Sequence, residues 1–162
     1  MKKTFLVIIT LFMSFSAFSQ LSTEENPYTY KLEGFNYQNI TTLKVDAPDL
    51  QQVIEEDIEN DKQNKMMRFG VIVPVYKDFF ELADKKQTAD GTVWTLSVES
   101  QDAEALIFYS DNFKLPRSGK FFVYNPERTK ILGAFTQRNN NKFNTFATEY
   151  IEGEKIILEY YQ

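Results

Sequence analysis

The apolar positions of this chain change their spacing twice. Phe5 to Phe18 (FLVIITLFMSFSAF) is an almost unbroken apolar run. From Pro48 the spacing becomes helical: Leu50, Val53, Ile54 and Ile58 fall at i, i+3, i+4 and i+8, with Glu55, Glu56 and Asp57 mostly on the solvent side. Pro48 is tolerated in a first helical turn, so one short helix is predicted there. From Met67 the period shortens to two. Phe69–Tyr76 is expected to form a strand, and Pro74 places it at a sheet edge or at a bulge, because proline cannot donate to a ladder. Val93–Glu99 alternates, with Trp94, Leu96 and Val98 on one face and Thr95 and Ser97 on the other.

Further short strands are expected at Ala105–Tyr109, Phe121–Tyr124, Lys130–Thr136, Phe143–Tyr150 and Lys155–Tyr161. Between them lie turn signals: Asp90-Gly91, Pro116-Arg117-Ser118-Gly119, Asn125-Pro126, Asn139-Asn140-Asn141 and Glu152-Gly153-Glu154. Short strands at this spacing, joined by Gly, Pro and Asn, predict a mainly β protein: an antiparallel β-sandwich or jelly-roll-like domain with one short N-terminal helix. Residues 20–38 are polar and irregular and read as an arm or early edge strand, and Ile40–Asp46 as a weak strand. Asn60–Lys65 carries no apolar residue and is the best internal linker. The expected organisation is a leader at 1–19, an arm with the helix at 20–62, and the β-domain at 63–162.

The leader reading rests on three parts. Lys2 and Lys3 form a basic start, the apolar run follows, and Ala17 and Ser19 are small residues suited to a cut before Gln20. The run is shorter than the roughly 20 residues that span a bilayer, so an exported, extracellular protein is expected and not an anchored one.

Composition narrows the chemistry. The chain has 162 residues, no cysteine and no histidine. A core must therefore form without disulfide staples. A thiol protease, a thiolate metal site and a Ser-His-Asp relay are all excluded. The net charge is −5, and without Lys2 and Lys3 the balance is 16 basic against 23 acidic residues. That sign disfavours nucleic acid and anionic membranes as partners.

Glu55-Glu56-Asp57 are adjacent on the expected helix and so diverge, which suits a solvated face better than acid/base work. Asp84, Asp90, Asp102 and Asp111 lack calcium-loop spacing. The six glycines are dispersed, so no phosphate loop is present. Asn39-Ile40-Thr41 matches the N-glycosylation pattern, a short and common one. Trp94, Tyr109, Tyr124 and Tyr160 are candidates for a sugar-stacking platform, against core packing as the simpler reading of Trp94. No catalytic, cofactor-binding or metal-binding residue is singled out, and no cofactor is expected.

The stretch from about Leu43 to Gln162 resembles the N-terminal region of lysyl-endopeptidase-like, trypsin-like serine proteases exported by Gram-negative bacteria. The likeness is carried by Met67-Arg68-Phe69-Gly70 and by Gly91-Thr92-Val93-Trp94-Thr95-Leu96-Ser97-Val98. It continues in Ala105–Phe108, Phe113–Gly119 and Phe122–Asn125, then in Ile131–Thr136, Phe146–Thr148, Ile151–Glu154 and Ile157–Tyr160. No single piece is a specific motif; their order and spacing carry the likeness.

The resemblance implies a non-catalytic pro-region or accessory domain that helps a protease domain fold and keeps it latent. The family's catalytic histidine, aspartate and serine have no counterparts, so this chain is expected not to be an enzyme by itself. It would be a fragment, or a truncated form, of such a protease. The implied partner is the trypsin-like domain itself, met through the terminal strand Lys155–Tyr161. Lys155 offers a bond of the type a lysine-specific protease cuts. The alternative is a free-standing secreted module for a glycan or a cell-surface partner.

Overall fold

In a computed structural model the described residues are Ser22, Thr23 and Glu25–Gln162. The expected leader and its cut before Gln20 lie outside them. The described chain is mainly β, as its spacing predicts, with a single helix longer than one turn.

Ten strands are present: β1 (Thr42–Lys44), β2 (Asp84–Gln87), β3 (Thr92–Glu99), β4 (Ala105–Leu106), β5 (Tyr109–Ser110), β6 (Lys120–Tyr124), β7 (Ile131–Phe135), β8 (Phe146–Ala147), β9 (Ile151–Glu152) and β10 (Lys155–Tyr161). Six form one open sheet in the order β1-β3-β10-β6-β7, with β2 also on β3. β1 and β2 share one edge of β3. β2 pairs antiparallel with Thr92–Thr95, and β1 pairs parallel with Ser97–Glu99, against the all-antiparallel expectation. The other edge of β3 pairs with β10, which pairs in turn with β6.

The sheet is covered on both faces. Trp94, Leu96 and Val98 stand opposite Tyr160, Leu158 and Ile156, and Phe121 and Val123 continue that face. Over it lies a ribbon made of β4 with β9 and β5 with β8. The ribbon and its loops bring Phe113, Leu115, Phe146 and Ile151 into the larger core. Helix α2 (Phe79–Leu82) adds Phe79 and Leu82.

The opposite face carries Thr95, Ser97, Ile157, Glu159, Phe122 and Tyr124 in register, all buried. Residues 27–40 cover it, through Tyr30, Phe35, Tyr37 and Ile40. A face that mixes polar and apolar residues is thus roofed by the chain's own N-terminal arm. Thr23 extends the roof by exchanging backbone hydrogen bonds with Ala134 on β7.

Helix α1 (Leu50–Lys62) occupies the expected place, and Asp49 caps it by accepting from the backbone N–H of Gln51 and Gln52. Its C-terminal turn runs into the expected linker, which is therefore partly helical. Phe69–Tyr76 is not a strand of the sheet. β1 and β2 already fill the edge of β3 it could have joined, and Pro74 weakens its claim. The expected strand Phe143–Tyr150 is reduced to β8, because Asn141 and Asn144 hold a turn at its start.

Candidate functional site

Burial separates two places where the chain departs from an ordinary core. The first is a buried carboxylate. Glu159 on β10 is fully buried, and every donor around it comes from the arm or from β6. Thr29 Oγ1 donates to Oε2 at 2.6 Å and Tyr124 Oη at 3.0 Å. The backbone N–H groups of Tyr28 and Thr29 donate to Oε1. Burial still prevails and pushes the Glu159 carboxyl above its ordinary value.

Around this group Arg128 lies 4.0 Å from the ring centre of Tyr37 and 4.9 Å from that of Tyr30. Burial raises both phenols. The cluster pins the arm to the sheet. It is enclosed and offers a substrate no approach, so its chemistry is structural. Two hydroxyls beneath the arm, Tyr30 Oη and Ser97 Oγ, have no hydrogen-bond partner.

The second place is the segment from α1 to Tyr76. No residue of α1 is buried, and its stripe of Leu50, Ile54 and Ile58 is more than half exposed. Beyond it Met66, Met67, Phe69, Ile72 and Tyr76 are almost bare. Arg68 ties the two halves together. Its Nε donates to Asp57 at 2.7 Å and its Nη2 to Glu56 at 2.8 Å. This fork holds Glu56 below its ordinary value. Glu56 and Asp57 thus clasp Arg68 against the helix, and the acidic cluster gathers no catalytic pair.

Exposed apolar side chains of residues 50–76 sum to on the order of 1,000 Å² by side-chain transfer areas. Sequence periodicity located the helix but not its lack of a cover, since an apolar stripe normally signals core.

The aromatics considered for a sugar platform are not brought together. Tyr124 and Tyr160 are buried on opposite faces of the sheet, Trp94 is half-buried beside Phe80 and Tyr160, and only Tyr109 is exposed. Asn39 and Thr41 are exposed, and Thr41 Oγ1 donates to Asp84 at 2.8 Å. A shallow cleft of about 260 Å³ lies between the arm and β2, lined in part by Phe35, Asn39, Asp84 and Lys86. No family model matches this sequence, and no solved structure matches this fold. Among the described residues no group of three His, Cys, Asp or Glu side chains could hold a metal ion, and no helix is long and apolar enough to cross a membrane.

The strand expected to lie nearest a partner, β10, is inside the sheet. β10 is flanked on both sides, by β3 and β6, so it offers no free edge to a partner. Lys155 is in the ladder opposite Glu99, with Nζ 2.9 Å from Glu99 Oε2. A protease needs an extended, unpaired strand in its cleft, and the bond after Lys155 is not one.

Proposed function

We propose that this chain works by contact: it is the non-catalytic pro-region or accessory domain of an exported trypsin-like serine protease, aiding that protease's folding and keeping it latent. The observation that carries the reading is the bare apolar arm of residues 50–76, which nothing else in the described chain covers. Apolar area of that extent lowers free energy only when another surface removes it from water. The resemblance of the ordered sequence pieces to lysyl-endopeptidase-like proteases supports this choice of partner, and the basic-apolar-small pattern of residues 1–19 supports export.

The contact is made by α1 and residues 66–76, not by β10. The acidic residues beside the helix stripe suit a partner surface that is apolar at its centre and basic at its rim. Co-refolding tests this directly. A denatured lysyl-endopeptidase-like protease domain from the same organism should recover more activity, and show slower onset of peptidase activity, when the chain is present. The variant Ile54→Asp should lose most of that effect while keeping the fold. Equal recovery with and without the chain overturns the proposal.

A further inference from the structure

Residues 69–76 lack a ladder partner, yet from Val71 to Tyr76 their exposure follows the rhythm of a strand; Phe69, of the same parity as the valines, is 82% exposed and stands outside it. Val71, Val73 and Val75 are 39%, 36% and 44% exposed, whereas Ile72 and Tyr76 are 76% and 91% exposed. A period of two is the signature of an extended backbone with one face leaning on the molecule. No backbone N–H or C=O from Phe69 to Tyr76 bonds to another described residue. Such a row of free donors and acceptors is a template for pairing with another chain.

We propose that this segment pairs with the same segment of a second copy, antiparallel across a two-fold axis at Ile72, forming a homodimer of the free chain. The inference rests on the arm being a contact surface, as argued above.

Four arguments select a second copy as the occupant. The first is register. In an antiparallel pair, the N–H and C=O of alternate residues point to the same edge. One edge therefore carries Phe69, Val71, Val73 and Val75, all competent donors, and the other carries Gly70, Ile72, Pro74 and Tyr76. Centring on Ile72 sets Val71 against Val73 and Phe69 against Val75 as hydrogen-bonded pairs, so every donor on the first edge is used. Pro74 then stands opposite Gly70 in a non-hydrogen-bonded pair, where its missing N–H costs nothing and the glycine leaves room for its ring.

The second argument is closure. The opposite edge lacks a donor at Pro74, so a third copy cannot add with equal strength and pairing stops at two.

The third is charge. Residues 66–77 contain no acid, and in this register Arg68, held by Glu56 and Asp57 of its own chain, stands opposite Tyr76 and Lys77 opposite Met67, so no like charges are set against each other.

The fourth is area. Met66, Met67, Phe69, Ile72 and Tyr76 are almost bare, so the paired segment brings its own apolar surface toward the roughly 800 Å² per partner of a standard specific interface.

The absence of native cysteine makes the test direct. Ile72→Cys places one thiol on the axis, opposite its own copy in a non-hydrogen-bonded pair whose spacing suits a disulfide. Sedimentation of the purified chain should show a dimer that dissociates on dilution, and mild oxidation of Ile72→Cys should convert most of it to a covalent dimer. Tyr76→Cys, whose register partner is Arg68, should cross-link poorly.

Val73→Pro removes a pairing donor that bonds to nothing within the chain, so it should be monomeric with an unchanged circular dichroism spectrum. A single monomeric species for the natural chain at every concentration up to about 100 µM overturns the inference. So does equal cross-linking at positions 72 and 76. Both results leave the protease partner to be judged by co-refolding, which reads a different quantity.

Discussion

At the scale of single residues, Glu159 decides whether the arm stays on the sheet. Its folded-state carboxyl sits above the ordinary value of 4.5 because burial outweighs the bonds from Thr29, Tyr124 and Tyr28. The folded state therefore holds its proton to higher pH than the unfolded chain does. The contribution of this group is complete below the ordinary carboxylate range and is lost as pH rises through the raised value. Thermal unfolding followed from pH 4 upward should show that loss, and Glu159→Gln, a neutral near-isostere, should flatten it. Glu159→Ala should cost about 1–3 kcal/mol below the ordinary carboxylate range, since it strands the donors of Thr29 and Tyr124, and less as pH rises.

Gly133 is the second such residue. It has φ +127° beside the register shift between β6 and β7, and a Cβ there would lie 2.7 Å from the Phe121 carbonyl oxygen. Gly133→Ala combines strain with a backbone clash and should destabilise by about 1–3 kcal/mol in denaturant titration. Neither role was legible in the sequence. A glutamate between Leu158 and Tyr160 reads as an ordinary outward polar position of a strand. Only the arm folding over that face makes it buried.

At the scale of elements, the period-two pattern located β3, β6, β7 and β10, and the 3.6 pattern located α1. Local spacing sufficed because each of these segments carries its own periodicity. What it could not supply was the cover. The stripe of α1 and the alternation of residues 69–76 obey the same rules as core elements, yet both face water. Pairing depends on which edges remain free, and that is settled by β1 and β2, two short and weakly patterned segments.

A consequence can be measured. Asp49→Ala should weaken α1 by about 1 kcal/mol through loss of its cap, seen as faster hydrogen exchange in residues 51–54. The denaturant midpoint of the sheet should not move, because α1 buries no residue.

At the scale of the whole molecule, the sheet is joined by long-range pairings. β10 binds β3, some sixty residues earlier, along its full length, and β6 on its other side. Leu158→Ala, which removes a buried side chain between Leu96 and Val123, should cost about 2–5 kcal/mol and lower cooperativity nowhere else. Folding should be slow for the chain's size, since loops must close before their pairings are rewarded.

The central place of β10 also sets a timetable. Ribosomes deliver polypeptide from the N-terminus, so β3 and β6 emerge long before the strand that must lie between them. Until residue 161 is out, the β1-β2-β3 side and the β6-β7 side have no strand to join them and the sheet stays in two parts. A nascent chain arrested just before Lys155 should be digested by a dilute protease much faster than the complete chain. One arrested far enough downstream to free Tyr161 should resist. Late closure of this kind leaves the two parts of the sheet unlocked until almost the last residue has arrived.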